Sequence, residues 1–240
     1  MKHWLVSSCL VGLTGCVTLP ALAQRVLLHA DVAEDTTFTR VGPNRAYFSH
    51  FFIGYTAVVG QPADPGADLR FANSGEFFLG LRNKFRLSQT VAVGLDLRYA
   101  RLGYYLEQND QKILPTPAQH HRELLALQQL QGDAFVRFNY GRRGNSIGRY
   151  VDLLGWGGYL LGSLHYYEDR PGPNGTKKLN VTERGLPYLQ RWPYGVGARV
   201  GFRRLALIGR YRFSDTFVGA ARQQYPELPR LLLGVELSWL

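Results

Sequence analysis

The sequence predicts an all-β chain in which eight antiparallel strands run up and down and close into a transmembrane barrel. Three observations predict it. Apolar residues recur at every second position through most of the chain, the pattern that sends alternate side chains to opposite faces of a strand. The connections between these stretches alternate long, short, long, short, long, short, long, which suits short turns on one side of a membrane and long loops on the other. Within the inward-facing set, arginines stand opposite glycines, and long cations facing residues without side chains fit the narrow interior of a small barrel.

Composition sets the outer bounds. The chain has 240 residues, 27 of them glycine, and 13% aromatic residues. One domain is expected at this length. A mean hydropathy of -0.17 is far from that of a helical membrane protein. After the first two dozen residues no stretch is apolar for the roughly 20 residues that a spanning helix needs. Barrel strands need only about 9 to 11 residues of alternating character.

Residues 1–23 read as an export signal: Lys2, an apolar run from Trp4 to Val17, then Pro20-Ala21-Leu22-Ala23, in which Ala21 and Ala23 form an A-x-A cleavage pattern. Leu13-Thr14-Gly15-Cys16 offers a competing lipoprotein reading, with Cys16 acylated. Cleavage after Ala23 is preferred, because it keeps an apolar core of normal length that Pro20 breaks in the expected place. Cys9 and Cys16 both lie in the signal, so the mature chain is expected to offer no disulfide, zinc site or cysteine nucleophile. Residues 24–44 show no sustained period and are expected to be a periplasmic lead-in to a barrel over residues 45–240.

The first strand is predicted at about Arg45 to Val59, with Phe51, Ile53, Tyr55, Ala57 and Val59 on one face. A polar loop from Gln61 to Ser74 follows. The second strand, Gly75 to Leu87, sends Phe77, Leu79, Leu81 and Phe85 outward and Glu76, Gly80, Arg82 and Lys84 inward. The third, Val91 to Leu106, sends Val91, Val93, Leu95, Leu97 and Tyr99 outward. For these outward faces to coincide Ser88 to Thr90 must form a short loop, which sets Arg82 directly opposite Asp96 as an inward ion pair. After a long polar segment, Glu107 to Arg122, the fourth strand is placed at Leu127 to Tyr140 with Asp133 and Arg137 facing in. The fifth, Tyr150 to Tyr167, is apolar on both faces in its middle, which a β-bulge or a well-filled lumen would each explain. Asp169 to Arg191 is read as a third long loop.

The stretch from Tyr194 to Phe213 supplies two strands and their turn. With Arg203-Arg204 as a two-residue hairpin loop, Phe202 faces Leu205, Val200 faces Leu207 and Val196 faces Tyr211, so both apolar faces coincide. On the other face Gly197 lies opposite Arg210 and Gly195 opposite Arg212. A fourth long loop, Ser214 to Pro229, leads to a last strand in which Leu231, Leu233, Val235, Leu237 and Trp239 oppose Gly234, Glu236 and Ser238. Aromatic girdles are expected from Tyr104, Tyr105, Tyr166, Tyr167 and Phe213 on the outer side and Phe85, Tyr140, Phe202 and Trp239 on the inner.

These strands place Glu76, Arg82, Lys84, Asp96, Arg98, Asp133, Arg137, Arg199, Arg210, Arg212 and Glu236 in one lumenal charge network. Eight strands leave an interior just wide enough for side chains, so the mixture is expected to form ion pairs and block diffusion rather than line a pore. Removal of Lys2 with the signal leaves 27 Lys and Arg against 18 Asp and Glu, a charge of +9. The arginines recur inside strands rather than as a surface run, so nucleic acid is not an expected partner.

The chain resembles small eight-stranded outer-membrane barrels of the OmpA/OmpX-like and PorT-like type. The resemblance rests on Asn73-Ser74-Gly75-Glu76-Phe77 with Gly80 and Arg82, on Gly141-Arg142-Arg143-Gly144-Asn145 leading into Tyr150-Val151-Asp152-Leu153, and on Tyr211-Arg212-Phe213-Ser214-Asp215 followed by Tyr225-Pro226-Glu227-Leu228-Pro229. It covers nearly all the mature chain. Such barrels typically end in an aromatic residue, whereas this chain ends in Leu240 after Trp239. The resemblance implies an outer-membrane location, with lipid, lipopolysaccharide, the barrel insertion machinery and an envelope protein as partners, and no cofactor.

The expected role is structural, envelope-maintaining or interactive, and not enzymatic. A lipid A-modifying enzyme is the alternative, since Ser163-Leu164-His165 places a serine and a histidine on one strand face. Its order does not match the motif of the known barrel enzymes, and no carboxylate is assigned to orient the histidine. A component of protein export is the remaining alternative. His120-His121 is read as a solvated pair in a polar loop rather than a metal site.

Overall fold

The computed structural model describes residues 42–62, 64–71, 73–142 and 144–239. The export signal, Cys16, residues 24–41 of the lead-in and Leu240 lie outside the described residues. Among the described residues nine strands form: β1 (Tyr47–Val59), β2 (Gly75–Arg86), β3 (Val91–Tyr105), β4 (Arg122–Tyr140), β5 (Arg149–Asp169), β6 (Leu179–Arg184), β7 (Tyr194–Phe202), β8 (Leu205–Arg212) and β9 (Leu231–Trp239). Every neighbouring pair is antiparallel. β1 pairs with β2 on one side and with β9 on the other, from Phe51↔Trp239 to Val59↔Leu231, which closes the sheet. Eight strands make the barrel. The ninth, β6, pairs only with the far end of β5.

The hairpin registers follow the coincidence of apolar faces. Arg82 pairs with Asp96, Phe202 with Leu205, Val200 with Leu207, Gly197 with Arg210 and Gly195 with Arg212. Arg203 takes a positive φ of 56°, the left-handed backbone that a tight two-residue turn requires. A Cβ at Gly197 would lie 2.7 Å from the carbonyl oxygen of Gly209 and 3.3 Å from Cγ of Arg210. The arginine has filled the space that glycine leaves.

Across the membrane-spanning part of each barrel strand one parity is buried and the other carries exposed apolar side chains, among them Phe51, Leu79, Leu95, Leu153, Val200, Leu207 and Val235. The buried parity carries Arg82, Asp96, Asp152, Arg199 and Glu236. A soluble sheet protein buries its apolar face and wets its polar one. This one does the reverse on every barrel strand, as only a barrel immersed in lipid can afford.

Three sequence expectations are corrected. The third long loop is not wholly loop, since residues 179–184 form β6 against β5. β4 starts at Arg122, five residues earlier than expected, because Glu123, Leu125 and Leu127 continue the inward parity beyond the membrane zone. Tyr104 is not part of a girdle. It shares the parity of Asp96 and Arg98 and is buried inside the barrel, 1% exposed. In β5 both candidate explanations hold. The register against β4 shifts between Gln128 and Gln129, which leaves Leu161 as the extra residue of a bulge, and the lumen below is filled by Leu154 and Trp156 packed on Phe135.

Candidate functional site: a sealed lumen and an ordered outer cap

The lower lumen is filled by arginines and carboxylates in alternation. Arg82 forks onto Asp96 through Nε to Oδ1 at 2.9 Å and Nη2 to Oδ2 at 2.8 Å, and donates from Nη1 to Glu236 Oε1 at 2.7 Å. Arg199 donates to Asp96 and to Asp152, both at 2.9 Å. Its Nε approaches Glu236 at 3.4 Å, an ion-pair contact without hydrogen-bond geometry. Arg137 completes the series with a fork onto Asp152 at 2.7 and 2.8 Å. Three cations therefore alternate with three anions, so the chain of pairs is neutral. Removing any member leaves a neighbour uncompensated at limited dielectric.

Two further pairs stand apart from that chain. Arg210 donates to Asp133 at 2.7 Å and to Gln131 at 2.9 Å, and Arg98 is bonded to Glu76. Arginine suits this interior better than lysine, because its planar fork reaches two acceptors and its flat face lies on a ring. Arg82 lies over Phe52 at 4.5 Å, Arg98 over Phe78 at 4.2 Å, Arg137 over Tyr150 at 3.6 Å and Arg210 over Trp156 at 4.5 Å.

Two members of the expected network sit elsewhere. Lys84 is inward and buried but donates to the carbonyl of Pro43, so it ties the lead-in to the inner mouth. Arg212 lies at the outer end, where it donates to the Ser214 carbonyl at 2.7 Å and pairs with Glu227 at 2.9 Å. Asp152 was absent from the expected set, although its even parity in β5, shared with Leu154 and Trp156, marks it as inward. It is 0% exposed.

Above the charges the inward parity turns apolar, and the long loops fold onto it. Val58, Leu102, Tyr104, Leu125, Leu127 and Leu232 from the strands join Leu69, Leu114, Leu189, Phe217 and Leu228 from the loops in one buried cluster. Isolated bridges pin the loops, Leu69 to Leu106 and Leu189 to Phe217. A short helix, α1 (Ala221–Gln224), sits in the fourth loop. Glu227 accepts from the Thr216 backbone N–H at 3.0 Å and from its hydroxyl at 2.9 Å. The outer mouth is thus closed by a small hydrophobic core.

At the side of this cap lies a polar cluster. His165 Nε2 stands 2.7 Å from Glu123 and Nδ1 3.3 Å from Glu183, and Lys112 is paired with Glu123 at 2.5 Å. Strand patterning assigns no carboxylate to His165, and the fold supplies two. Both come from elements distant in sequence, β4 and β6. Ser163 Oγ accepts from the Leu186 N–H at 2.8 Å. Hydrogen bonds to Glu123 and Glu183 raise the His165 imidazole above its ordinary value of 6.5, against the opposing effect of burial. His120 bonds Asp169 at 2.8 Å and stacks on Tyr167. Among the described residues no group of three or more His, Cys, Asp and Glu side chains is arranged to hold a metal.

These features define a small transmembrane β-barrel whose lumen is sealed by ion pairs below and a packed cap above. No protein-family model matches the chain, and no curated protein does. Among solved structures it is similar to Ail, the attachment invasion locus protein of Yersinia pestis, at 12% identity and a TM-score of 0.38, over 81% of this chain and 99% of that one. A second structure of Ail, in complex with the heparin analogue sucrose octasulfate, matches at 11% identity and a TM-score of 0.36, over 80% and 97% of the two chains.

Proposed function

We propose that the protein is an outer-membrane barrel that anchors an interaction surface at the outer face of the membrane. One observation carries this reading: β5 runs beyond the barrel wall, where it pairs with β6, and the far edge of β6 has no backbone partner among the described residues. A free edge is a row of unpaired donors and acceptors that can add a strand from another protein. Four of the six β6 residues are exposed, and the sheet that carries them is braced by the His165 cluster and the apolar cap. The surface is therefore held ready rather than formed on demand.

The arrangement around Ser163 favours this role over lipid A hydrolysis. A serine nucleophile needs a base within hydrogen-bond reach. Both ring nitrogens of His165 face carboxylates, and Ser163 is engaged by the Leu186 amide. A photo-crosslinking residue at Thr182 on β6, in cells carrying the full chain, should give a discrete protein adduct, whereas one at Val200 should give lipid adducts only. The Thr182 adduct should vanish when residues 179–184 are replaced by a Gly-Ser repeat. Lipid adducts alone at Thr182 would overturn the reading.

A further inference from the structure

The two ends of the barrel carry different charge. Among the described residues every Asp and Glu lies in the lumen or on the side of the long loops, and the short-turn end has none. That end carries Arg45, Arg86, Arg142, Arg149, Arg203 and Arg204. Hydrogen bonds hold these positions in one rim. Arg86 Nη1 donates to the Asn44 carbonyl at 2.6 Å, Asn44 Nδ2 donates to the Gly144 carbonyl at 2.8 Å, and the Arg203 N–H donates to the Gly148 carbonyl at 2.8 Å. The backbone of Arg203 is a second, independent observation. It stands at a φ of 56° in a two-residue turn whose left-handed positions favour Gly, Asn or Asp. A long side chain kept at a strained position points to a use for that side chain. Its guanidinium and that of Arg149 both lie against the Phe202 ring, with Cζ 5.2 and 5.6 Å from the centroid. Among the described residues Arg149, Arg203 and Arg204 pair with no carboxylate.

We propose that this arginine collar binds the peptidoglycan beneath the membrane through the free carboxylates of its peptide stems. A guanidinium fork takes a carboxylate through two hydrogen bonds, which an ammonium does not. Cations spread around a whole rim suit an extended polymer of repeating charge, which gains from many weak contacts made at once. A folded protein would need a desolvated apolar or aromatic anchor at the centre of its contact. The described residues of the short turns, 88–90, 141–148 and 203–204, expose no apolar side chain, and Ile147 is buried. Phospholipid head groups fit less well. Arg86 continues the inward parity of Arg82 and Lys84, and Arg204 that of Ala206 and Ile208, so both stand at the mouth rather than against the lipid-facing wall.

The inference rests on the membrane reading but not on the β6 edge, which lies at the opposite end. The full chain is refolded into phosphatidylcholine nanodiscs and sedimented with purified peptidoglycan sacculi. Wild-type discs should be captured, and sacculi whose carboxylates have been amidated should capture about tenfold less, as a lost charge-assisted contact implies. Arg149→Gln with Arg204→Gln should lower capture about tenfold, whereas Arg222→Gln, on the outer side, should leave it unchanged. Arg203→Gly separates binding from folding. Glycine adopts that φ without strain, so this variant should unfold at higher urea in vesicles while its capture falls about tenfold. Wild-type discs that are not captured, equal capture by amidated sacculi, or an Arg203→Gly variant that binds as well as wild type would each overturn the inference. So would loss of capture when phosphatidylglycerol is added to the discs, which would give the collar to lipid head groups. The lead-in carries Asp31, Glu34 and Asp35, and capture seen only after their change to Asn, Gln and Asn would give the collar to that segment instead. Failure of the wild-type chain to insert at all would sink the membrane reading.

Discussion

Arg98 and Arg82 look alike in sequence but stand in different positions in the lumen. Arg98 has one carboxylate, Glu76, whereas Arg82 is shared by Asp96 and Glu236, and Asp96 in turn is shared by Arg82 and Arg199. Glu76→Ala should therefore destabilise the barrel by about 3 to 5 kcal/mol, because it strands a buried cation, and a second change, Arg98→Met, should recover most of that loss. Asp96→Ala with Arg82→Met should recover little, since Glu236 and Arg199 then lose partners of their own. Urea titration in lipid vesicles reads both double mutants. His165 gives a second residue-scale prediction. It lies on β5 beyond the bulge at Leu161, outside the membrane-spanning part of the strand, and its folded-state pKa is raised. A raised histidine contributes stability that is complete below its unfolded value of about 6.5 and is lost as pH rises through the folded value. Protection of the β6 amides from hydrogen exchange should therefore fall as pH rises above about 6.5, and His165→Gln should remove that dependence.

At the scale of the element, the two faces of each strand answer to different solvents. Val200 of β7 is 50% exposed and pairs with Leu207 of β8, which is 66% exposed. Val200→Arg should weaken folding in vesicles by about 2 to 4 kcal/mol, whereas Val200→Leu should be neutral. The reverse outcome would mean that this face does not meet lipid. β5 shows how an element can serve both solvents in one run. Below Leu161 its even residues, Asp152, Leu154 and Trp156, face the lumen. Beyond it the odd residues, Ser163 and His165, do so. A register slip of one residue exchanges the faces of a strand, and the bulge makes that exchange once, where the strand leaves the membrane.

For the whole molecule the consequence is closure at three levels. Lys84, bonded to the Pro43 carbonyl, stands at the inner mouth, the alternating ion pairs fill the middle, and the apolar cap shuts the outer end. Planar-bilayer recordings of the reconstituted protein should show no steady ion conductance, and single lumenal substitutions should not open it, because Phe52, Phe78, Phe135 and Trp156 occupy the same space as the charges. A stable open level in the wild type would contradict a sealed lumen. The free edge of β6 lies at the outer end, beside the packed cap.

Strand parity, the eight-fold count of barrel strands, the hairpin registers and the inward pairing of Arg82 with Asp96 were legible in the sequence, because each depends on alternation and on loops of a few residues. Partners further apart in the chain were not. Glu236 joins Arg82 across 154 positions, Arg199 joins Asp96 across 103, and Glu123 reaches His165 across 42. Alternation says which way a side chain points, and only closure of the sheet says what stands opposite it. The outer cap was hidden for the same reason. Its apolar residues are scattered singly through polar loops, with no period to reveal them, and they become a core only when four loops converge on the inward ends of β3 and β4.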